Sequence, residues 1–299
     1  PFRDNIAVRR YLKREDFDVF HVTRSTGPVF EVNGVKMIRT IHDLCNRYTD
    51  KQRVDKLSKL YKDVVQDRVL HNSDAIICPS NSTRKQILDL FDTQSLELYT
   101  THLGVDTEFR EKPPGELETI QSKHDIGEKV ILFVGVVTPR KNLQTLVDAY
   151  LQSEIRDEYS LVIAGGEGPG EAAVLNQIRD QENIQYLGFV SKADLVDLYN
   201  TADFFVYPSF CEGFGLPPLE AMACGTPVIV SNRSSLPEVV KDAGVKVDPE
   251  NTEELREQLE QMATNADFRK TMGRKAKERA THFSWERTAK ETTEIYESI

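Results

Sequence analysis

Two glutamates, Glu212 and Glu220, stand eight residues apart in the stretch YPSFCEGFGLPPLEAMACGTPVIVS, residues 207–231. Between them Gly213-Phe214-Gly215 runs into Leu216-Pro217-Pro218, and apolar, strand-like runs lie on either side at 204–207 and 228–230. A strand, a glycine loop and a helix N-terminus form an anion site, because unpaired backbone N–H groups point out of that helix end. With Pro217 and Pro218 opening the helix, Glu220 falls in its first turn and Glu212 in the loop before it. An isolated pair would read more simply: Glu220 complementing the helix dipole and Glu212 solvated. Two carboxylates beside an anion site instead fit a ligand that carries hydroxyls as well as phosphate, as a nucleotide sugar does.

Other loops supply the remaining chemistry. Gly135-Val136-Val137-Thr138-Pro139-Arg140-Lys141-Asn142 follows an apolar run. In a doubly wound sheet, ligands bind outside the carboxyl ends of strands. Arg140 and Lys141 there would give a diphosphate charge-assisted hydrogen bonds, or else be exposed basic residues ahead of a helix. Residues 164–170, AGGEGPG, form another glycine-rich loop but no G-x-G-x-x-G, which disfavours a nicotinamide enzyme. His42, in Thr40-Ile41-His42-Asp43-Leu44, could hydrogen-bond a sugar or move a proton, with a structural histidine as the equal alternative. Ser80 and its neighbours read as a helix cap for 84–90. Asp16-Phe17-Asp18 reads as charge at a strand entry, and no metal is inferred.

The elements that must hold these residues alternate. Short apolar runs and helical patterns follow one another as parallel βα units. Strands are predicted at 18–23, 37–41, 75–79 and 96–101, then at 130–137, 160–164, 185–189, 203–207, 227–230 and 245–247. A helix is predicted over 50–71, with Lys51, Lys56, Lys59 and Lys62 on one face. That face is either solvated or a weak dock for acidic lipid headgroups. Helices are also predicted after the first five strands of the second set and at 252–265, 268–282 and 284–298. Residues 111–116, EKPPGE, suit a linker. The first part looks like a βα domain lacking its opening strand and glycine turn.

The chain has 299 residues, 29% of them charged and 39% hydrophobic, which suits about two globular domains. Its net charge of −10 argues against nucleic-acid binding. The charge is uneven: residues 1–110 carry 18 basic and 16 acidic residues, net +2, and 111–299 carry 20 and 32, net −12. Cys45, Cys78, Cys211 and Cys224 lack metal-type spacing and read as reduced. No apolar run nears the ~20 residues that span a bilayer. A cytoplasmic protein is expected, with any membrane contact peripheral, at the inner face.

The second part resembles the retaining glycosyltransferases of family four, which have the GT-B fold. The resemblance rests on Glu212-x7-Glu220 within EGFGLPPLEAMACGTPV, on VGVVTPRKNLQTLVDAY, on GFVSKADLVDLYNTADFFVYPS and on the closing FSWERTA. In the first part TIHDL, SDAIICPSNSTRKQIL and HLGVDTEF look like the same family. The PRKN and GFGLPPLEAMACG wording resembles its mannosyltransferase-like branch. The resemblance implies an α/β, GT-B architecture: two Rossmann-like doubly wound domains facing a cleft, the first incomplete. Residues 1–112 would be the acceptor-side domain and 113–283 the nucleotide-sugar domain, with 284–299 a helix packing back on the first.

By the same resemblance Glu220 would hold the ribose hydroxyls. Glu212, with backbone N–H groups of Gly213, Phe214, Gly215 and Leu216, would hold the donor sugar. Lys141 would bind the diphosphate, and Gly135 would line the donor site. Many members carry arginine where this chain has Val136, so Arg140 would supply that charge. His42 would face the transferred sugar, and the backbone of Val190 the base. The expected reaction is retaining transfer of a hexose, mannose or glucose type, from a GDP- or UDP-sugar to a hydroxyl of a glycan or lipid-linked acceptor. No metal or other cofactor is expected. The alternative is a nucleotide-sugar-binding subunit that needs a partner chain to complete its first domain.

Overall fold

The computed structural model describes residues 2–24, 30, 32–45, 68–93, 96–113, 115, 117–170 and 172–299. The basic helix face with Lys51, Lys56, Lys59 and Lys62 lies outside the described residues. Elements are numbered here over the described residues. The chain divides into two compact units, Pro1–Gly104 with Trp285–Ile299, and Val105–Ser284.

The first unit is a parallel sheet of β1 (Val19–Val22), β2 (Lys36–Thr40), β3 (Ala75–Cys78) and β4 (Glu97–Thr100), in that order. All four residues of β3 are buried, as expected of a parallel strand covered on both faces. Helix α1 (Phe2–Arg14) precedes the sheet. The sequence reading placed no element there, because Arg9, Arg10, Lys13 and Arg14 crowd a segment in which Leu12 is the one residue buried among 6–14. Helix α2 (Asn81–Leu90) starts at Ser80, whose Oγ accepts from the Thr83 N–H at 3.0 Å. Its Ile87 packs into a cluster with Ile41, Leu44, Leu70, Ile76 and Cys78.

The second unit runs α3 (Glu118–His124), β5 (Val130–Val134), a 3-10 turn (Pro139–Lys141), α4 (Leu143–Gln152), β6 (Ser160–Ala164), α5 (Ala172–Ile178), β7 (Ile184–Gly188) and α6 (Lys192–Thr201). It continues through β8 (Phe204–Tyr207), α7 (Leu216–Ala223), β9 (Val228–Ser231), α8 (Leu236–Val240), β10 (Val245–Val247), α9 (Thr252–Thr264) and α10 (Ala266–Ala280). Every pair in its sheet is parallel, in the order β10-β9-β8-β5-β6-β7. Strands β5 and β8 are neighbours, with Ile131 opposite Phe204 and Leu132 opposite Phe205. The strand order reverses between them, which makes the ends of β5 and β8 the switch point where such sheets take ligands. Both strands are buried throughout, so their loops stand on a rigid floor.

Residues 105–112, which the sequence reading gave to the first domain, belong to the second unit. Val105 bridges to Ser284, Phe109 packs edge-on against Tyr199, and the Lys112 N–H donates to Asn200 Oδ1 at 2.8 Å. The proline-rich stretch therefore follows the change of unit. The last helix, α11 (Trp285–Ser298), is part of the first unit, where Ile295 packs with Ile38, Ala75 and Ile77. Among the described residues no helix is long and apolar enough to cross a membrane.

Candidate active site

Strand β5 ends at Val134, three residues short of the sequence expectation. At Gly135 φ is 156°, and beyond it the chain bends away, leaving Val137 only a single bridge to Glu167. The bend delivers Arg140 and Lys141 on the 3-10 turn, which Asn142 closes at φ 57°. Asn142 Nδ2 donates to the carbonyls of Pro208 at 3.1 Å and Pro249 at 2.7 Å. The Phe210 N–H and Ser209 Oγ both donate to the Arg140 carbonyl, at 2.9 and 3.0 Å. The loops after β5 and β8 are thus one hydrogen-bonded block, although about seventy residues separate them in sequence.

On that block Glu212 lies between two cations. Lys141 Nζ is 2.7 Å from Oε1, and an Arg140 guanidinium nitrogen is 3.0 Å from Oε2. Ser209 Oγ donates to Oε1 at 2.6 Å. Lys141 also reaches the Tyr207 hydroxyl, and its amine lies 4.8 Å from that ring's centroid. Burial, the largest single influence, pushes the Glu212 carboxyl up. Lys141, Arg140 and Ser209 together outweigh it and hold the carboxyl below its ordinary value. The side chains of Lys141 and Glu212 are 12% and 9% exposed against 29% for Arg140, so the guanidinium is the more open cation.

Glu220 has the opposite surroundings. Among the described residues its hydrogen-bonded side-chain partner is the Tyr199 hydroxyl, which donates to Oε2 at 2.9 Å. Burial pushes its carboxyl above the ordinary value, and the Tyr199 hydrogen bond and Lys192 only partly offset this. Its place differs from the sequence reading. Helix α7 starts at Leu216 with Gly215 as N-cap, so Pro217 and Pro218 are its second and third residues and Glu220 its fifth. Glu220 is therefore beyond the first turn, which removes the dipole-complement explanation of it. The helix end is also a poorer anion site than expected. Pro217 and Pro218 carry no N–H, and the Leu219 N–H is spent on the Gly215 carbonyl at 3.3 Å.

Gly215 has φ 112°, and a Cβ there would meet Leu236 Cδ2 at 2.7 Å, so the turn into α7 needs glycine. Ser234 and Ser235 fix the loop before it: Ser234 Oγ accepts from the Glu212 N–H at 2.8 Å, and Ser235 Oγ donates to the Glu212 and Phe214 carbonyls. Gly213 and Phe214 are buried in this loop. In the glycine-rich loop after β6, a Cβ on Gly165 would stand 2.0 Å from the Gly135 carbonyl oxygen. That glycine serves the packing of one strand end on the next. Val190 follows β7 and is half-buried beside Phe189, which is 89% exposed.

His42 belongs to the first unit, just past β2, where its Nε2 is 3.0 Å from the Thr23 carbonyl oxygen. The structure thus brings together Glu212, Lys141, Arg140 and Gly135, and places Glu220 eight residues on against Tyr199. Sequence reasoning missed Tyr199, Tyr207, Ser209, Ser234 and Ser235. The tyrosines read as core aromatics within apolar runs. The PS of YPS, directly after a buried strand, was the available signal for Ser209.

A parallel sheet with charged groups at its switch point is the frame of a nucleotide-binding α/β enzyme. Known proteins define the class. The family described as glycosyl transferases group 1 matches residues 116–279, and glycosyltransferase family 4 matches residues 1–109. The O-antigen chain mannosyltransferase B of Escherichia coli is 34% identical over 275 residues, covering 88% of this chain and 71% of that protein. The serotype-specific mannosyltransferase WbdA of Escherichia coli is 30% identical over 226 residues, covering 73% of this chain and 28% of that one. Among solved structures, sucrose-phosphate synthase from Thermosynechococcus elongatus superposes with a TM-score of 0.80 at 20% identity, covering 98% of this chain and 76% of that chain. Anabaena Alr3699/HepE in complex with UDP and glucose gives 0.76 at 18% identity, covering 89% and 72%. The fold is GT-B, and the chain belongs to glycosyltransferase family 4, a retaining family.

Proposed function

We propose that this chain transfers a mannosyl residue, with retention, from a nucleoside diphosphate sugar to a hydroxyl of a growing glycan or glycolipid. The observation that carries the reading is the Arg140–Glu212–Lys141 cluster at the switch point, with the Glu220–Tyr199 pair following it. The names of the mannosyltransferases it resembles support mannose as the sugar.

As the glycosidic bond to the diphosphate breaks, negative charge grows on the leaving phosphate. Arg140 and Lys141 are fixed in place beforehand by Glu212, so they stabilise that charge without reorganising, often the largest catalytic contribution. Glu212 keeps the two cations from collapsing elsewhere and offers its oxygens to the donor sugar. Glu220 accepts from the ribose hydroxyls, while the backbone near Val190 meets the base. His42 contributes a hydrogen bond to the transferred sugar. The acceptor hydroxyl attacks the face that the diphosphate leaves, and the leaving phosphate takes its proton.

Incubating the chain with GDP-mannose or UDP-glucose and a mannose-terminated acceptor tests this. The expected product is an α-linked mannoside formed from GDP-mannose, detected by mass and by anomeric coupling in NMR. An inverted product would contradict the mechanism. Donor binding without transfer until a second chain is added would favour a partner-dependent subunit instead.

A further inference from the structure

The second unit holds five tyrosines, and they divide by what their hydroxyls meet. Tyr150 donates to the Tyr159 carbonyl at 2.5 Å, Tyr159 to the Ala263 carbonyl at 3.1 Å and Tyr186 to the Gly165 carbonyl at 2.8 Å. Backbone carbonyls are ordinary partners for a phenol in a core, where its O–H must be hydrogen-bonded. Tyr199 and Tyr207 meet charged side chains instead. The Tyr199 hydroxyl donates to Glu220 Oε2 at 2.9 Å, and the Tyr207 hydroxyl accepts from Lys141 Nζ.

Both rings stand in one row. Phe133 packs on Tyr207 with centroids 5.8 Å apart, Tyr207 on Phe205 at 5.7 Å, Phe205 on Tyr199 at 5.6 Å and Tyr199 on Phe109 at 5.8 Å. Phe133, Tyr207, Phe205 and Tyr199 are fully buried. Phenylalanine serves such packing by itself, and Phe133, Phe205 and Phe109 are phenylalanine. The two rings that carry an oxygen are the two that reach Lys141 and Glu220, so packing does not account for the oxygens. Close-packed rings hold their orientation, which fixes each hydroxyl in place.

The two contacts do different things. Lysine is a point charge on a flexible stem. Lys141 is held by Glu212 Oε1 at 2.7 Å and again by the Tyr207 hydroxyl. A neutral acceptor fixes the ammonium without cancelling its charge, as a second carboxylate would. A carboxylate has about four acceptor positions, and one phenol turns it while filling a single position.

We infer that Tyr207 and Tyr199 are positioning residues of the donor site, Tyr207 holding the Lys141 ammonium for the leaving diphosphate and Tyr199 holding the Glu220 carboxylate for the ribose. The inference rests on the proposed function and gives each phenol a separate step.

The test uses the full chain and whichever of GDP-mannose and UDP-glucose it turns over, with calorimetry of the matching nucleoside diphosphate and of its analogue without ribose hydroxyls. Tyr207→Phe should lower kcat about tenfold, the worth of one hydrogen bond to a charged group, with donor KM nearly unchanged. Tyr199→Phe should raise donor KM and diphosphate Kd about tenfold with kcat nearly unchanged, and should shrink the cost of removing the ribose hydroxyls. Tyrosines with a structural role alone would move Tm and leave this split absent. Should a phenylalanine variant fold poorly, 3-fluorotyrosine placed singly at Tyr199 or Tyr207 keeps the hydroxyl and decides by fluorine NMR. The resonance at Tyr207 should move with the nucleoside diphosphate and with pyrophosphate, and that at Tyr199 with the nucleoside diphosphate only.

A fall in kcat seen in Lys141→Ala and missing in Tyr207→Phe would overturn the inference and leave the proposed function standing. So would an equal ribose cost in native protein and Tyr199→Phe, or a Tyr199 resonance that follows pyrophosphate. Turnover of neither donor, or native kcat in Lys141→Ala, would remove the proposed function and the inference with it.

Discussion

Glu212 and Glu220 lie on the same loop-helix segment and are both largely enclosed, yet their surroundings push them in opposite directions. Around Glu212 the loops after β5 and β8 converge, and each brings a fixed group: Arg140 and Lys141 from one, Ser209 from the other. Around Glu220 stands Tyr199 from α6, a neutral donor. The first carboxyl is held below its ordinary value and the second above it. Glu212 is the more deeply buried of the two and yet is the one held down, so partner charge makes the difference. A carboxylate with two cations is a built electrostatic device. Among the described residues Glu220 has a phenol as its hydrogen-bonding side chain and Lys192 as a more distant charge, and in the proposed function a pair of ribose hydroxyls adds further donors.

The largest expected effect comes from breaking the charged side of this contrast. Lys141→Ala should lower the rate of transfer about 10²–10³-fold, as removal of a preorganised charge-stabilising donor typically does, with a smaller effect on donor affinity. Steady-state kinetics with the native donor checks it, and native kinetics in the variant would remove Lys141 from the phosphate site. Arg140→Ala should fall in the same direction by less, because its guanidinium is more open to water.

Next in size is the change in stability on neutralising each glutamate. Glu212→Gln should destabilise the ligand-free protein at neutral pH by about 2–3 kcal/mol, a broken buried pair discounted for the partial exposure of Arg140. Glu220→Gln should do the reverse and raise Tm slightly, since it removes a carboxylate whose ionisation burial opposes. The pH dependence separates the two. A carboxyl whose folded value is lowered contributes stability above about 4.5, its unfolded value, and loses it as pH falls through the folded value. A carboxyl whose folded value is raised favours folding below about 4.5, and that contribution is lost as pH rises through the folded value. Thermal melts from acid to neutral pH should therefore show the Glu212→Gln deficit shrinking toward acid and the Glu220→Gln gain appearing only toward neutral. Parallel curves for the two variants would erase the contrast.

The smallest expected effect is on His42. His42→Ala should lower transfer about tenfold or less, with donor Kd unchanged by calorimetry. A change in donor Kd equal to the loss in rate would make it a ground-state binding group.

Much of this was visible in the residues themselves. Continuous apolar runs such as Val130–Val134 and Phe204–Tyr207 announced buried parallel strands, and the charged residues just beyond them announced a switch-point site. The cation clamp was half legible. Arg140, Lys141 and Glu212 each stood at a strand end, but that all three meet depends on β5 and β8 being neighbours, and pairing across seventy residues leaves no local pattern. Glu220 stands in the turn of its helix after the one the sequence predicts. Proline favours the first helical position, so the sequence points to the two prolines as the start, whereas Gly215 turns the chain early enough for Leu216 to begin the helix. Tyr199 and Tyr207 were hidden because a tyrosine inside an apolar run has the signature of core. Helix α1 was hidden for the converse reason, its charges masking a face that buries little.

The proposed function divides the labour, with Arg140 and Lys141 acting on the diphosphate, Glu212 on the donor sugar and Glu220 on the ribose. The most direct test is a binding cycle by calorimetry: native protein, Glu220→Gln and Lys141→Ala, each against the preferred nucleoside diphosphate and its analogue without ribose hydroxyls. Removing the hydroxyls should weaken binding to native protein and to Lys141→Ala alike, and should cost little once Glu220 is glutamine. Equal losses in all three proteins, or a loss absent only in Lys141→Ala, would contradict it.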